Sequence, residues 1–136
     1  MKNGFVHVPI ACGHHAKDQT KSSGSLCPAV PAATSSSIVR GILRGQLGFR
    51  GVVITDALDT PAVARYYRTG IASVRALQAG ADAVIAAGVT PADADAASTS
   101  AYTTELAAAR AGTLSRSLLT ASYQRIVALK QSLPHG

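Results

Sequence analysis

Apolar and polar positions along this chain switch between two periods. Short runs of β-branched and other apolar residues stop at Gly or Pro, and between them apolar residues recur every three or four positions. Gly4-Phe5-Val6-His7-Val8-Pro9 reads as a short strand ended by a proline, which has no N–H to give a central ladder. Ala11 to Pro31 has no period and is rich in Ser, Gly, Lys and His. It exceeds the roughly two to six residues usual for an α/β connection, so 11–31 is expected to be an atypical loop or insertion. A helix is predicted next, capped by Ser35, Ser36 or Ser37 and closed by Gly48, with Ile38, Val39, Ile42, Leu43 and Leu47 turned to a sheet.

Val52, Val53 and Ile54, bracketed by Gly51 and a polar Thr55-Asp56 end, read as a parallel strand covered on both faces. A helix from Ile71 to Ala79 is predicted to bury Ile71, Val74 and Leu77 and to stop at Gly80, before a strand from Asp82 to Ala87. Strand, helix and strand make a parallel crossover, right-handed by the general rule. Val89 to Ser100 is small and polar and is predicted as a loop, with Thr103 or Thr104 opening a short helix through Arg110 that Gly112 closes. A last helix is predicted from near Thr120, with Leu119, Tyr123, Ile126, Val127 and Leu133 on one face. No repeat appears beyond this alternation, so the fold class is α/β and residues 1–136 are expected to form a single domain unit.

The chemistry concentrates at Asp56. Carboxylates at the carboxyl ends of parallel strands are where α/β folds place reactive groups, and they also commonly cap the next turn. Asp59, three residues on, is expected to cap or hydrate that turn, with a catalytic carboxylate as the competing role. His7, Cys12, His14, His15 and Cys27 lie close enough in sequence to suggest zinc, but they lack paired C-x2-C and H-x3-H spacing, so no metal is expected. The two cysteines are expected to be free thiols.

Composition narrows the classes further. At 47% hydrophobic and 15% charged residues the chain is globular in composition. Its net charge of +6 could suit a polyanion, but Arg40, Arg44, Arg50, Arg65, Arg68, Arg75, Arg110, Arg116 and Arg125 are strewn over many elements. With little aromatic interleaving they read as solvated helix faces, and no nucleic-acid partner is expected. No apolar run approaches the roughly 18 residues of a membrane span. The first residues lack the apolar core of a signal peptide, which makes the cytoplasm the default expectation.

Three motifs then combine: Ser36-Ser37-Ile38-Val39-Arg40 running on to Leu43-Arg44-Gly45-Gln46-Leu47-Gly48-Phe49 and Gly51-Val52-Val53-Ile54-Thr55-Asp56-Ala57-Leu58; Ala76-Leu77-Gln78-Ala79-Gly80-Ala81-Asp82; and Ala121-Ser122-Tyr123-Gln124-Arg125-Ile126-Val127-Ala128-Leu129-Lys130. In that order they resemble the family 3 glycoside hydrolases, above all the β-N-acetylhexosaminidase branch. The resemblance implies a retaining glycosidase without metal or organic cofactor, acting on N-acetylglucosaminyl linkages such as those of peptidoglycan fragments. It implies that Asp56 is the nucleophile. It places His7 at the strand position where the family often carries a His, either lining the sugar pocket or satisfied in the core. Asp82 falls where the family opens a strand, a structural role.

The same resemblance implies a (β/α)8 barrel, which takes about 250 residues. The chain would then be a partial barrel, about the last three βα units, with self-association possible through its open edges. The branch's acid/base is a His within Lys-His-x-Pro-Gly-His-Gly, and that pattern does not occur here. Gly13-His14-His15 lacks the Pro-Gly and precedes a different helix, so His14 or His15 as a substitute acid/base is disfavoured. The alternative function is a catalytically silent remnant that acts, if at all, by association.

Overall fold

The computed structural model describes residues 4–8 and 30–134 of the 136. Its centre is a three-stranded sheet in the order β1 (Phe5–Val8), β2 (Val52–Ala57), β3 (Ala83–Ile85), all parallel. The helices are α1 (Ser37–Gln46), α2 (Thr69–Ala79), α3 (Pro91–Arg110) and α4 (Arg116–Ser132), with single helical turns at Ala32–Thr34 and Pro61–Ala64. The fold is therefore α/β, with strands and helices alternating as the apolar pattern predicts. The atypical stretch 11–31 lies, except for its last two residues, outside the described residues.

Side-chain alternation splits the sheet into two unlike faces. Val6, Val8, Val53 and Val84 point to the helix side, where they pack with Ala33, Val39, Val63, Ala72 and Ala76 in the main core. The register pairs His7 with Ile54 and Ile54 with Ala83, which puts Phe5, His7, Ile54 and Ala83 on the other face; Ile85 follows Ala83 by alternation, and Asp56, past a register shift in β2, meets His7 there. No helix of the described residues covers the middle of that face; Phe5 is 64% exposed and Ile85 39%. Val52 shares its parity but is buried near Gly51, Arg125 and Ala128, because α4 packs against the entry end of β2.

Several boundaries differ from the sequence reading, each for a physical reason. α1 winds wider than an α-helix, with Leu47 N–H donating to Ile42 O (2.9 Å), five residues back. More residues per turn carry Leu47 off the packed side, and it is 62% exposed instead of facing the sheet. Among the described residues no serine hydroxyl caps α1; the carbonyl of Ser35 accepts from both Ile38 and Val39. In α2, Val74 and Leu77 are buried as expected but Ile71 is 47% exposed. Gly80 ends α2 at φ +113°, a left-handed turn that returns the Ala81 N–H to Ala76 O (3.0 Å).

The stretch predicted as a loop, 89–100, is largely helix. α3 begins at Pro91, where Thr90 Oγ1 accepts from Asp93 N (3.2 Å) and Asp93 Oδ2 accepts from Thr90 N (3.1 Å). That reciprocal capping box, with Pro at the first helical position, is a start signal stronger than the small, polar character of the residues after it. α4 likewise starts at Arg116, capped by Ser115 Oγ on Leu118 N (3.2 Å), earlier than Thr120. Tyr123 and Leu133 of its predicted face are exposed, at 68% and 55%.

α2 and α3 approach closely at Gly70, where a Cβ would stand 2.7 Å from Ser100 O. Beside that crossing lies Glu105. Its Oε1 is buried without a hydrogen-bond partner among the described residues, because Ser73 Oγ spends its proton on Gly70 O (2.8 Å). Burial pushes the Glu105 carboxyl above its ordinary range. A raised folded-state pKa contributes stability that is complete below the unfolded value, about 4.3, and is lost as pH rises through the folded value. Glu105→Gln should therefore raise the Tm at pH 7 and leave it unchanged near pH 4. Thermal unfolding at both pH values checks this; an equal shift at each would refute it.

Candidate functional site

Asp56 closes β2 on the open face of the sheet. Its Oδ1 accepts from the following amide, Ala57 N, at 2.8 Å. His7 of the neighbouring strand points to the same oxygen, with Nε2 3.7 Å away. That is beyond a hydrogen bond and within ion-pair range once the imidazole is protonated. Both side chains are about half exposed, 48% for His7 and 49% for Asp56. Among the described residues Oδ2 takes no hydrogen bond. One carboxylate oxygen is thus held and the other is open, on a rigid strand end facing solvent.

Asp59 does cap a turn, but a distant one. Its Oδ1 accepts from Ala87 N (3.0 Å) and its Oδ2 from Gly88 N (2.6 Å), which ties the loop after β2 to the loop after β3. Burial pushes this carboxyl up, yet the amides of Ala87, Gly88 and Asp59 itself outweigh that and hold it below its usual range. With both oxygens engaged it is a brace beside Asp56.

At the opposite end of the sheet Asp82 is fully buried in its side chain. Oδ2 accepts from Arg44 Nη2 (2.7 Å) and Val53 N (2.9 Å), and Oδ1 from Arg125 Nε (2.9 Å) and Nη2 (2.7 Å). Arg44 also donates to Gly80 O through Nε (3.1 Å) and Nη2 (2.9 Å), and to Gly51 O through Nη1 (3.2 Å). Asp82 therefore pins α1, β2 and α4 to the start of β3, the structural role expected of it. Arg44 and Arg125 correct the sequence reading: they are not solvated helix faces, their side chains being 14% and 28% exposed. Burial holds the Arg44 guanidinium below its ordinary range against the pull of Asp82, and the charges of Arg125 and Arg40 add to the lowering. The missed signal was a lone Asp at the head of the apolar run Ala83-Val84-Ile85, where a buried carboxylate calls for cationic partners.

Of the zinc-type residues only His7 is described; Cys12, His14, His15 and Cys27 lie outside the described residues. Among the described residues no three His, Cys, Asp or Glu side chains cluster to hold a metal. No described helix is long and apolar enough to cross a membrane.

Comparison with known proteins gives consistent matches. The family described as "Glycosyl hydrolase family 3 N terminal domain" matches residues 13–129. The chain is 32% identical over 107 residues to a protein named beta-hexosaminidase A from Pseudoalteromonas piscicida, covering 78% of this chain and 18% of that protein. A family 3 β-N-acetylglucosaminidase structure from Paenibacillus sp. str. FPU-7 superposes with TM-score 0.68 at 36% identity, covering 76% of this chain and 19% of that one. A β-N-acetylhexosaminidase structure from Beutenbergia cavernae gives TM-score 0.64 at 31% identity, covering 77% and 30%. The chain spans less than a third of the length of each of these three proteins.

Proposed function

The chain belongs to glycosyl hydrolase family 3, and from that premise we propose that it carries the nucleophile portion of a retaining β-N-acetylhexosaminidase. On this reading the three parallel strands are an arc of a (β/α)8 barrel whose carboxyl ends bear the active site. The observation that carries the reading is Asp56: half exposed at a strand end, with Oδ1 held by Ala57 N and Oδ2 open.

Asp56 Oδ2 attacks the anomeric carbon of a bound N-acetylglucosaminyl residue. The new bond forms to the carboxylate as the glycosidic C–O bond breaks, and the leaving oxygen takes a proton from a general acid. Water then hydrolyses the glycosyl ester with net retention. The two catalytic groups of retaining glycosidases stand about 5 to 5.5 Å apart. His7, 3.7 Å from the nucleophile itself, is better suited to hold Oδ1 and touch the sugar. The acid/base is assigned to barrel outside this chain. Substrates of this class are N-acetylglucosamine-containing glycans or peptidoglycan fragments, a choice supported by what the matched proteins are named for. Among the described residues β1 and β3 each pair on one side only, and such open edges would favour self-association when the chain stands alone.

The test is a chimera in which this chain replaces the matching segment of the Paenibacillus enzyme. The chimera should hydrolyse an aryl N-acetyl-β-glucosaminide and release the β-anomer first. The 136-residue chain by itself should self-associate and show no turnover. A folded chimera without activity, or a monomeric isolated chain that turns the substrate over, would each overturn the proposal.

A further inference from the structure

We propose that Thr55 is a positioning residue: its buried hydroxyl pins an irregularity in β2 that fixes Asp56 with one oxygen free. The inference rests on the reading of Asp56 as nucleophile. It begins with the register between β2 and β3. Ile54 pairs with Ala83, yet the next pair is Ala57 with Ile85, so three steps on β2 run against two on β3. Such a bulge displaces ladder groups and re-aims the side chain it contains. Asp56 is inside it.

The hydrogen bonds show how the displaced groups are satisfied. Val53 N–H faces β3, donating to Asp82 Oδ2, so by two-residue alternation a regular β2 would also turn Ala57 N–H toward β3. Instead Leu58 N takes the ladder position, donating to Ile85 O at 2.9 Å. Ala57 N is released and donates to Asp56 Oδ1. On the other side of the irregularity the Ile85 N–H donates to Thr55 Oγ1 at 3.1 Å. Ile85 therefore grips β2 on both sides of Asp56, through its carbonyl at Leu58 and its amide at Thr55. Thr55 is fully buried, so no water replaces its hydroxyl from that side.

The consequence is specific. Without the hydroxyl, Ile85 N–H loses its side-chain acceptor, the irregular register loses one of its two ties, and Ala57 N–H competes again for the ladder. Asp56 Oδ1 is then less firmly held, and the nucleophile is misplaced without altering the rest of the sugar pocket. A displacement of about 1 Å at a reacting atom costs on the order of 10²-fold in rate.

The test uses Thr55→Val, which keeps shape and removes the acceptor, and Thr55→Ser, which keeps the hydroxyl. In the 136-residue chain, amide exchange at Ile85 should speed by at least about tenfold in Thr55→Val. It should stay near wild type in Thr55→Ser, while Ala76 in α2 reports the same protection in both. In the chimera, Thr55→Val should lower kcat by about 10²-fold with KM unchanged, and Thr55→Ser should recover most of it. Unchanged Ile85 exchange in Thr55→Val overturns the proposal. So does lost protection in an active chimera whose kcat is unaffected, or a loss that falls on KM. An inactive wild-type chimera counts against the glycosidase reading instead, and the exchange result then decides the bulge on its own.

Discussion

Asp82→Ala is expected to destabilise the chain by roughly 3–5 kcal/mol, the cost of breaking a buried ion cluster by removing one partner. The carboxylate receives three N–H donors from two guanidiniums and a fourth from the Val53 backbone. Its side chain has no solvent exposure, and Arg44 and Arg125 have little. Removing it leaves two cations facing each other with no counterion among the described residues, and takes from the buried Val53 N–H its side-chain acceptor. Asp82→Asn should lose nearly as much, because an amide offers one acceptor oxygen and turns its own N–H donors toward the arginines. Arg40→Ala, at an exposed position, should stay within about 0.5 kcal/mol of wild type. Urea denaturation of the three variants reads these differences; a change under about 1 kcal/mol for Asp82→Ala would mean the cluster is not what holds α1, β2, β3 and α4 together.

What the sequence showed and what it hid separate along one line. Local signals were legible: the β-branched run Val52-Val53-Ile54, Gly80 closing α2, and a carboxylate at the end of β2 all stand in the structure where the pattern puts them. Partners distant in sequence were not. Asp59 braces a loop 28 residues on, and Asp82 draws in Arg44 and Arg125 from 38 residues before and 43 after, pairings that no period encodes. The wide winding of α1 was hidden too, because a 3.6-residue template assigns Leu47 to a face that the actual turn moves away from the sheet. The helix at Pro91 was legible in principle: Thr90-Pro91-Ala92-Asp93 is a capping sequence, and its small polar neighbours outweighed it. Val84 shows the same limit at the sheet. Its strand was legible but its side was not, because only the pairing of Ile54 with Ala83 assigns Val84 to the helix side and leaves the open face to Ala83 and Ile85.

Asp56→Ala, in the chimera that supplies the remaining barrel, is expected to abolish turnover of an aryl N-acetyl-β-glucosaminide, with a loss on the order of 10⁴-fold or more. The reason is that the carboxylate makes and then breaks the covalent bond to the anomeric carbon, and neither neighbour can stand in. His7 faces the same Oδ1, and Asp59 has both oxygens committed to Ala87 and Gly88. Folding should be untouched, because Asp56 is half exposed and its one hydrogen bond among the described residues is to the adjacent amide. Circular dichroism and the urea midpoint should match wild type while kcat collapses. Small anions such as azide should partly restore turnover of the variant by entering the vacated space, displacing the aglycone and yielding the α-glycosyl azide, since attack then occurs once instead of twice. Asp59→Ala should keep most activity and lose protection at the Ala87 and Gly88 amides. A reversed ranking, with Asp59→Ala inactive and Asp56→Ala active, would move the nucleophile to the loop brace and would remove the basis for reading the open Oδ2 as the attacking atom.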